Sequence, residues 1–303
     1  MSRILVTPKV NPDLDGVACA LAYAQLLREQ GNDTEGIIFG LPQFEVNYFI
    51  EQHGIPIPIR EDDAHGEWSN FVLVDASSMK GMPKQVIAEK VIEIIDHRAG
   101  SPEKDFPNAI IQNELIGAAA TLITERYMKA GMMPLPEHAV LLYGAIYHNT
   151  LNFITSNTSE RDRAAARYLE REYAIDPSII HDMFLYATRE TENDVYRALE
   201  QDAKEFGSGG YTIWAFQLQV WGDAIMAQKE KIEESVRELT KKMGCDWAYL
   251  NIINLENSTS AIFFTDPIGQ QIFSKAFERD FSYHWTHLPE IILRKQIMAK
   301  LTA

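Results

Sequence analysis

Short apolar runs that alternate with helical stretches, several of them ending on acidic residues, fill the first third of this 303-residue chain. R-I-L-V-T (Arg3–Thr7), G-I-I-F-G (Gly36–Gly40), F-V-L-V-D-A (Phe71–Ala76) and V-I-E-I-I-D (Val91–Asp96) read as strands, with A-I-I-Q-N (Ala109–Asn113) as a fifth. Between the first two lies an alanine-rich helix expected from Gly16 to Gln30, and a helix-like stretch follows Pro42. Runs with so few polar residues are buried on both faces, and their alternation with helices dictates an α/β fold with a mainly parallel sheet flanked by helices.

From Gly117 the pattern turns helical, through G-A-A-A-T-L-I-T-E-R-Y-M, H-A-V-L-L-Y-G-A-I-Y-H-N-T and S-E-R-D-R-A-A-A-R-Y-L. A charged helical stretch, Thr188 to Phe206, leads to G-S-G-G (Gly207–Gly210), after which strand patterns resume. Y-T-I-W-A-F-Q-L, W-A-Y-L-N-I-I-N-L and S-A-I-F-F-T surround a long helix expected over Asp223–Met243, and a last helix is expected over Pro289–Leu301. These elements predict a smaller C-terminal α/β domain, with domains at 1–188 and 189–303 and a linker near 188–197. H-W-T-H (His284–His287) reads as a loop before the final helix, and Trp214, Trp221 and Trp247 as packing residues.

The net charge of −15 argues against a nucleic-acid polymer or an acidic membrane as partner, because a polyanion is repelled at long range. It leaves room for a small anion in a local pocket of cations. No apolar run reaches membrane-spanning length. Cys19 and Cys245, far apart in sequence, read as free thiols of a reducing compartment, so a cytoplasmic protein is expected.

Three strand-like runs end in residues able to hold a metal. The first runs out into Lys9, Asp13 and Asp15, the third ends at Asp75, and the fourth ends at Asp96, His97 and Arg98. Asp15 is a good N-cap for a helix starting at Gly16, yet capping explains only one of two aspartates that repel each other. In open parallel sheets the ligand crevice lies beyond the carboxyl ends of the strands, where strand order reverses. Oxygen ligands with an imidazole suit manganese, magnesium, iron or zinc.

N-P-D-L-D, V-D-A-S-S, I-I-D-H-R and L-L-Y-G-A-I-Y-H-N-T-L-N-F resemble, in order and spacing, the Asp-His-His (DHH) phosphoesterases. The branch is that of the family II manganese-dependent inorganic pyrophosphatases, with exopolyphosphatase and prune as relatives. The resemblance continues through S-N-T-S-E-R-D (Ser156–Asp162), Q-D-A-K-E-F (Gln201–Phe206) and L-R-K-Q (Leu293–Gln296), and so spans both domains. It implies an active site in the cleft between the domains, where two metals share a bridging aspartate. Asp13 corresponds to a ligand of the first metal, Asp15 and His97 to ligands of the second, and Asp75 to the bridge. Lys204, Arg294 and Lys295 correspond to phosphate-gripping residues of the C-terminal domain, and Asp13, Asp15, Asp75, His97 and Lys204 form the implied catalytic set.

The chain departs from this pattern at three places. Lys9 stands where the family has its first histidine, Asn149 where pyrophosphatases have an aspartate, and Arg98 where the family has its second histidine. Three carboxylates less one lysine leave two negative charges, which balance one divalent metal. One metal on Asp15, Asp75 and His97 is therefore expected, with Lys9 crowding the other place and Asn149 offering an amide oxygen. His148 reads as a packed helical residue. Lys9 and Arg98 join Lys204, Arg294 and Lys295 as candidates for binding substrate. The implied activity is hydrolysis of pyrophosphate or short polyphosphate with manganese, magnesium or cobalt. A homodimer paired through A-I-I-Q-N is a further candidate arrangement. The alternatives are a non-catalytic phosphate- or nucleotide-binding regulator and a small phosphodiesterase.

Overall fold

Ile4–Thr7, every residue of it buried, forms the strand around which the first sheet is ordered. The computed structural model describes residues 3–62, 66–98, 100 and 102–302. The chain divides into two units, Met1–Met183 and Phe184–Ala303. In the first, the elements are β1 (Ile4–Thr7), α1 (Leu14–Glu29), β2 (Thr34–Gly36), β3 (Ile38–Phe39), α2 (Phe44–His53), β4 (Ile59–Arg60), β5 (Asn70–Val74), β6 (Val91–Asp96) and β7 (Ile110–Asn113). The helices α3 (Ala119–Ala130), α4 (Pro136–Asn149) and α5 (Glu160–Tyr173) follow, and α6 (Ser178–Asn193) carries the boundary.

The sheet order is β2-β1-β5-β6-β7, all parallel. The chain leaves β1 for β2 on one side and later returns to β5 on the other, so the order reverses between β1 and β5. α1 packs against β1, β2, α3 and α4. Leu5, Phe39, Phe71, Leu73, Val91, Ile94 and Phe106 form a core cluster of strand and loop residues.

Several sequence expectations need adjustment. α1 begins at Leu14, not Gly16, and its N-cap is Asp13, whose Oδ1 accepts the Gly16 N–H at 3.1 Å. Asp15 falls in the first turn. Gly36–Gly40 is not one strand, because β2 ends at Gly36 while β3 pairs with β4 in a separate two-stranded sheet. The last strand of the first sheet, β7, lies at its edge with Ile110 exposed.

The second unit holds α7 (Val195–Asp202), β8 (Lys204–Ser208), β9 (Tyr211–Val220), α8 (Lys229–Met243), β10 (Trp247–Asn254), β11 (Thr259–Phe264), α9 (Pro267–Phe277), β12 (Trp285–Leu288) and α10 (Arg294–Leu301). Its mixed sheet runs β12-β11-β10-β9-β8, with only β9 and β10 parallel. The helical expectation over Thr188–Phe206 fails at its end: Lys204 opens an edge strand that pairs antiparallel with β9 through the Gly209–Gly210 turn. His284–His287 is no loop, since Trp285–Leu288 pairs with β11. The final helix starts at Arg294 rather than Pro289, and α8 is preceded by a 3₁₀ turn over Ala224–Gln228. Trp247 is buried beneath Gly269, in a cluster with Tyr249, Phe264 and Phe273. Among the described residues, no helix is long and apolar enough to cross a membrane.

Candidate metal centre

The carboxyl ends of β1, β5 and β6 lie side by side at and next to the order reversal, so the segments after them meet. Asp75, the residue after β5, adopts a left-handed backbone (φ 50°) that its short polar side chain tolerates, and its N–H is held by Ile95 O at 2.9 Å. His97 follows β6, its N–H bonded to Asp96 Oδ1 at 2.8 Å. Asp15 enters from the first turn of α1, where both its oxygens are held: Oδ2 accepts from Ala119 N at 2.9 Å and Oδ1 from Ala120 N at 2.7 Å. Those two amides belong to the start of α3, whose positive dipole end favours a carboxylate.

Asp15, Asp75 and His97 are buried and bring one ligand atom each to within 4.8 Å of one another. His97 Nε2 lies 3.3 Å from Asp75 Oδ1 and 3.9 Å from Asp15 Oδ2. Its other nitrogen, Nδ1, lies 3.1 Å from Ile116 O. A carbonyl only accepts, so Nδ1 carries a proton and donates, and in the neutral ring the Nε2 lone pair faces the two carboxylates. An imidazole oriented by a backbone carbonyl is the usual support of a metal-ligating histidine.

The electrostatics describe a site short of a cation. Burial, then the charge of Asp75, pushes the Asp15 carboxyl up to about 7. Burial opposes ionisation of Asp75 as well, but the Arg98 guanidinium and the His97 ring beside it hold that carboxyl down at about 2. Burial disfavours a charged His97, yet its bond to Asp75 and the two carboxylate charges raise it to about 9. Without a cation, the carboxylate charges thus favour a proton on His97 and oppose ionisation of Asp15.

Residues 3–146 match the profile of the DHH family, N-terminal domain. They form a DHH-family domain. Over 305 residues the chain is 25% identical to a protein of Exiguobacterium sp. named "Probable manganese-dependent inorganic pyrophosphatase", covering 100% of this chain and 98% of the relative. A protein of Shouchella clausii with the same name is 27% identical over 307 residues, at the same coverage. Among solved structures, the Methanococcus jannaschii "putative family II inorganic pyrophosphatase" aligns over 98% of both chains with a TM-score of 0.76 at 23% identity, which is a likeness of fold.

Around the triad of the DHH domain, the departures fall into definite places. Arg98 donates to Asp75 twice, from Nη2 to Oδ1 at 2.6 Å and from Nη1 to the carbonyl at 3.0 Å. Asn149, at the end of α4, directs Nδ2 to Asp15 Oδ2 at 2.7 Å and to His97 Nε2 at 3.2 Å. Lys9 is half-buried in the loop after β1, its stem beside Gly81, whose carbonyl accepts the Val10 N–H at 2.9 Å. Asp13 caps α1 and stands outside the triad, although its charge adds to the upward push on Asp15. His148 is packed, its Nδ1 3.9 Å from Glu45 Oε1, and the same oxygen accepts the Leu14 N–H at 3.1 Å.

The donor set fits one divalent cation. Two carboxylates balance its charge, the imidazole nitrogen is preset, and a half-turn of the Asn149 amide would exchange Nδ2 for Oδ1 at the same place. The Arg98 guanidinium lies on the same Asp75 Oδ1 that faces His97, at 2.6 Å.

In the second unit, Arg294 donates to the Asp202 carbonyl at 2.9 Å and forms an ion pair with its carboxylate, while its N–H is held by Gln217 Oε1 at 2.9 Å. Lys204 is exposed on β8, and Lys295 is exposed in the first turn of α10. Sequence reasoning missed Ile116, Ala119 and Ala120, which act through backbone groups that no side-chain pattern marks. It also missed Glu45, whose signal would have been a lone acid on the otherwise apolar start of α2.

Proposed function

We propose that this protein is a metal-dependent phosphohydrolase that cleaves a phosphoanhydride, pyrophosphate or short polyphosphate, with one divalent cation held by Asp15, Asp75 and His97. The observation that carries this reading is the preset His97 ring, its Nδ1 on Ile116 O and its Nε2 3.3 Å from Asp75 Oδ1. Manganese is favoured by the names of the relatives, with magnesium and cobalt as hard-cation substitutes. When bound, such a cation supplies Lewis-acid stabilisation of phosphoryl charge and makes water a better nucleophile. The chain's own residues do the rest. Arg98 fixes Asp75 and offers its remaining N–H groups to a phosphate, a task its planar fork suits. Lys9 adds positive charge at the end of β1, where the relatives' pattern has a metal ligand, and Asp13 supports the cation electrostatically. Lys204, Arg294 and Lys295 are the basic residues assigned to the phosphate. The edge strand β7 is the place where a second copy would pair, which sedimentation tests.

A second reading rests on Asn149. Its amide donates to Asp15 Oδ2 and lies 3.2 Å from His97 Nε2, and so stands against two ligand atoms without any metal. A protein of this kind binds phosphate or a nucleotide without turning it over. The deciding experiment is phosphate release from pyrophosphate, tripolyphosphate, long polyphosphate, nucleotides and a phosphodiester, with manganese, magnesium and cobalt titrated and bound metal counted. Turnover of an anhydride at one metal per chain supports the hydrolase. No turnover despite bound metal supports the regulator, and cleavage of the diester alone supports neither.

A further inference from the structure

Asp162 is fully buried, yet it sits on α5, which contributes no member of the metal-binding triad. Both its oxygens are occupied. Oδ2 accepts from Ser159 N at 2.7 Å, from the Ser159 hydroxyl at 2.8 Å and from Gly117 N at 3.2 Å, and Oδ1 accepts the Thr121 hydroxyl at 2.7 Å. The bond from the Ser159 N–H belongs to the capping box of α5. The bonds from Gly117 and Thr121 reach 45 and 41 residues back along the chain, which helix capping does not require.

Those two remote partners frame the segment that supports the triad. Ile116, whose carbonyl orients His97, precedes Gly117 directly. Ala119 and Ala120, whose N–H groups hold Asp15, lie between Gly117 and Thr121. The carboxylate reaches the Gly117 amide because residue 117 has no side chain: a Cβ there would stand 2.8 Å from Asp162 Cγ and 2.5 Å from Thr150 Cγ2. One buried carboxylate thus pins the segment on both sides of the two amides that hold Asp15, and next to the carbonyl that orients His97.

We propose that Asp162 is a positioning residue for the metal centre: by holding Gly117 and Thr121 it sets the ring of His97 and the two amides on Asp15, and thereby the affinity of the triad for a divalent cation. The inference rests on the reading that Asp15 and His97 hold such a cation. Asparagine at this place keeps one acceptor oxygen but turns an amide donor toward donors, so Asp162→Asn loosens the segment with little change in volume. Loss of an outer partner of this kind lowers metal affinity by roughly 10- to 100-fold.

The test compares the full chain with Asp162→Asn, with Thr121→Val, and with Leu169→Ala, a buried site on the same helix, about 10 Å further along it. Manganese affinity is read by calorimetry and melting temperature beside it. On the metal-free protein, NMR reads the His97 Nδ1 proton and the exchange protection of the Ala119 and Ala120 amides. Expected for Asp162→Asn are the affinity loss, disappearance of the Nδ1 proton signal and loss of both protections, with a weaker effect in the same direction for Thr121→Val. Leu169→Ala is expected to lower the melting temperature while leaving the NMR signals and the affinity in place. Wild-type signals and affinity in a folded Asp162→Asn overturn the proposal, and so does Leu169→Ala reproducing the changes. Should Asp162→Asn fail to fold, Thr121→Val decides. A wild-type chain that binds no manganese refutes the metal reading instead, and the NMR comparison still decides the positioning role.

Discussion

Asn149 Nδ2 stands 2.7 Å from Asp15 Oδ2, so the side chain that the end of α4 turns to this carboxylate is an amide donor. The same nitrogen is 3.2 Å from His97 Nε2. The bond to Asp15 stabilises the metal-free arrangement. In Lys9→His together with Asn149→Asp, the added carboxylate and imidazole replace an amide donor and an ammonium with ligands. Bound manganese is expected to rise from one toward two per chain, with faster pyrophosphate turnover, as two-metal sites clamp both oxygens of the displaced bond. Without metal the double variant is expected to melt lower than the parent, because the carboxylate introduced at position 149 would face Asp15 unscreened. Unchanged metal count and turnover would refute this account of the site.

His97 is the one ligand whose removal leaves both carboxylates and the Arg98 pair in place. A cation that binds only the folded chain stabilises it by about 2.7 kcal/mol at 100-fold excess over its dissociation constant. For a domain of this size that raises the melting temperature by roughly 5–10 °C. The wild-type chain is expected to show this shift in manganese and His97→Ala to show almost none. Equal shifts in both proteins would place the cation elsewhere.

The strand ends were legible in the sequence because buried parallel strands read as unbroken apolar runs, and the residue that follows each run is exposed by contrast. That is how Asp75 and His97 stand out. The start of α1 was not legible to the residue, since Asp13 and Asp15 are equally fit to cap and only the contact with Gly16 N separates them. Nor was the support of Asp15 by Ala119 and Ala120, 104 and 105 residues away, where alanines carry no chemical signal of their own. Lys204 was misplaced on a helix because K-E-F-G-S is a half-exposed edge strand without alternation, and charge-rich runs read as helix. Arg98 was legible as a departure, but its grip on Asp75 follows from the parallel register of β5 and β6, which sequence spacing does not encode.

Arg294 and Lys295 are neighbours in sequence but differ in their surroundings, and that difference separates their variants. Arg294 is tied to Asp202 and Gln217, so Arg294→Ala removes packing as well as charge and leaves the Asp202 carboxylate without its guanidinium. Lys295 is exposed. If both bind phosphate, Lys295→Ala is expected to reduce protection by pyrophosphate against heat while leaving the melting temperature without ligand within about 1–2 °C of wild type, as surface substitutions do. Arg294→Ala is expected to reduce both. Manganese binding should be unchanged in each. Full pyrophosphate protection in Lys295→Ala would remove this residue from the binding set.

His138 gives a pH dependence that belongs to the fold rather than to the metal centre. Its Nδ1 is 2.7 Å from Gln25 Oε1, which also accepts the Leu135 N–H at 2.9 Å, so the ring helps to fix the start of α4 against α1. Burial holds its pKa below the ordinary value of 6.5. Above that value the ring is neutral in both the folded and the unfolded chain and contributes no pH dependence. Below it the unfolded chain takes up a proton that the folded chain refuses, so stability falls as the pH drops toward the lowered folded value. His138→Gln keeps a donor for Gln25 and removes the titration. Between pH 7 and pH 5 its melting temperature is expected to fall less than that of the wild type, with the difference confined to the range below 6.5. His97 is common to both proteins and cancels in the comparison. Parallel curves across that range would mean that His138 accepts its proton as readily in the folded chain as in the unfolded one.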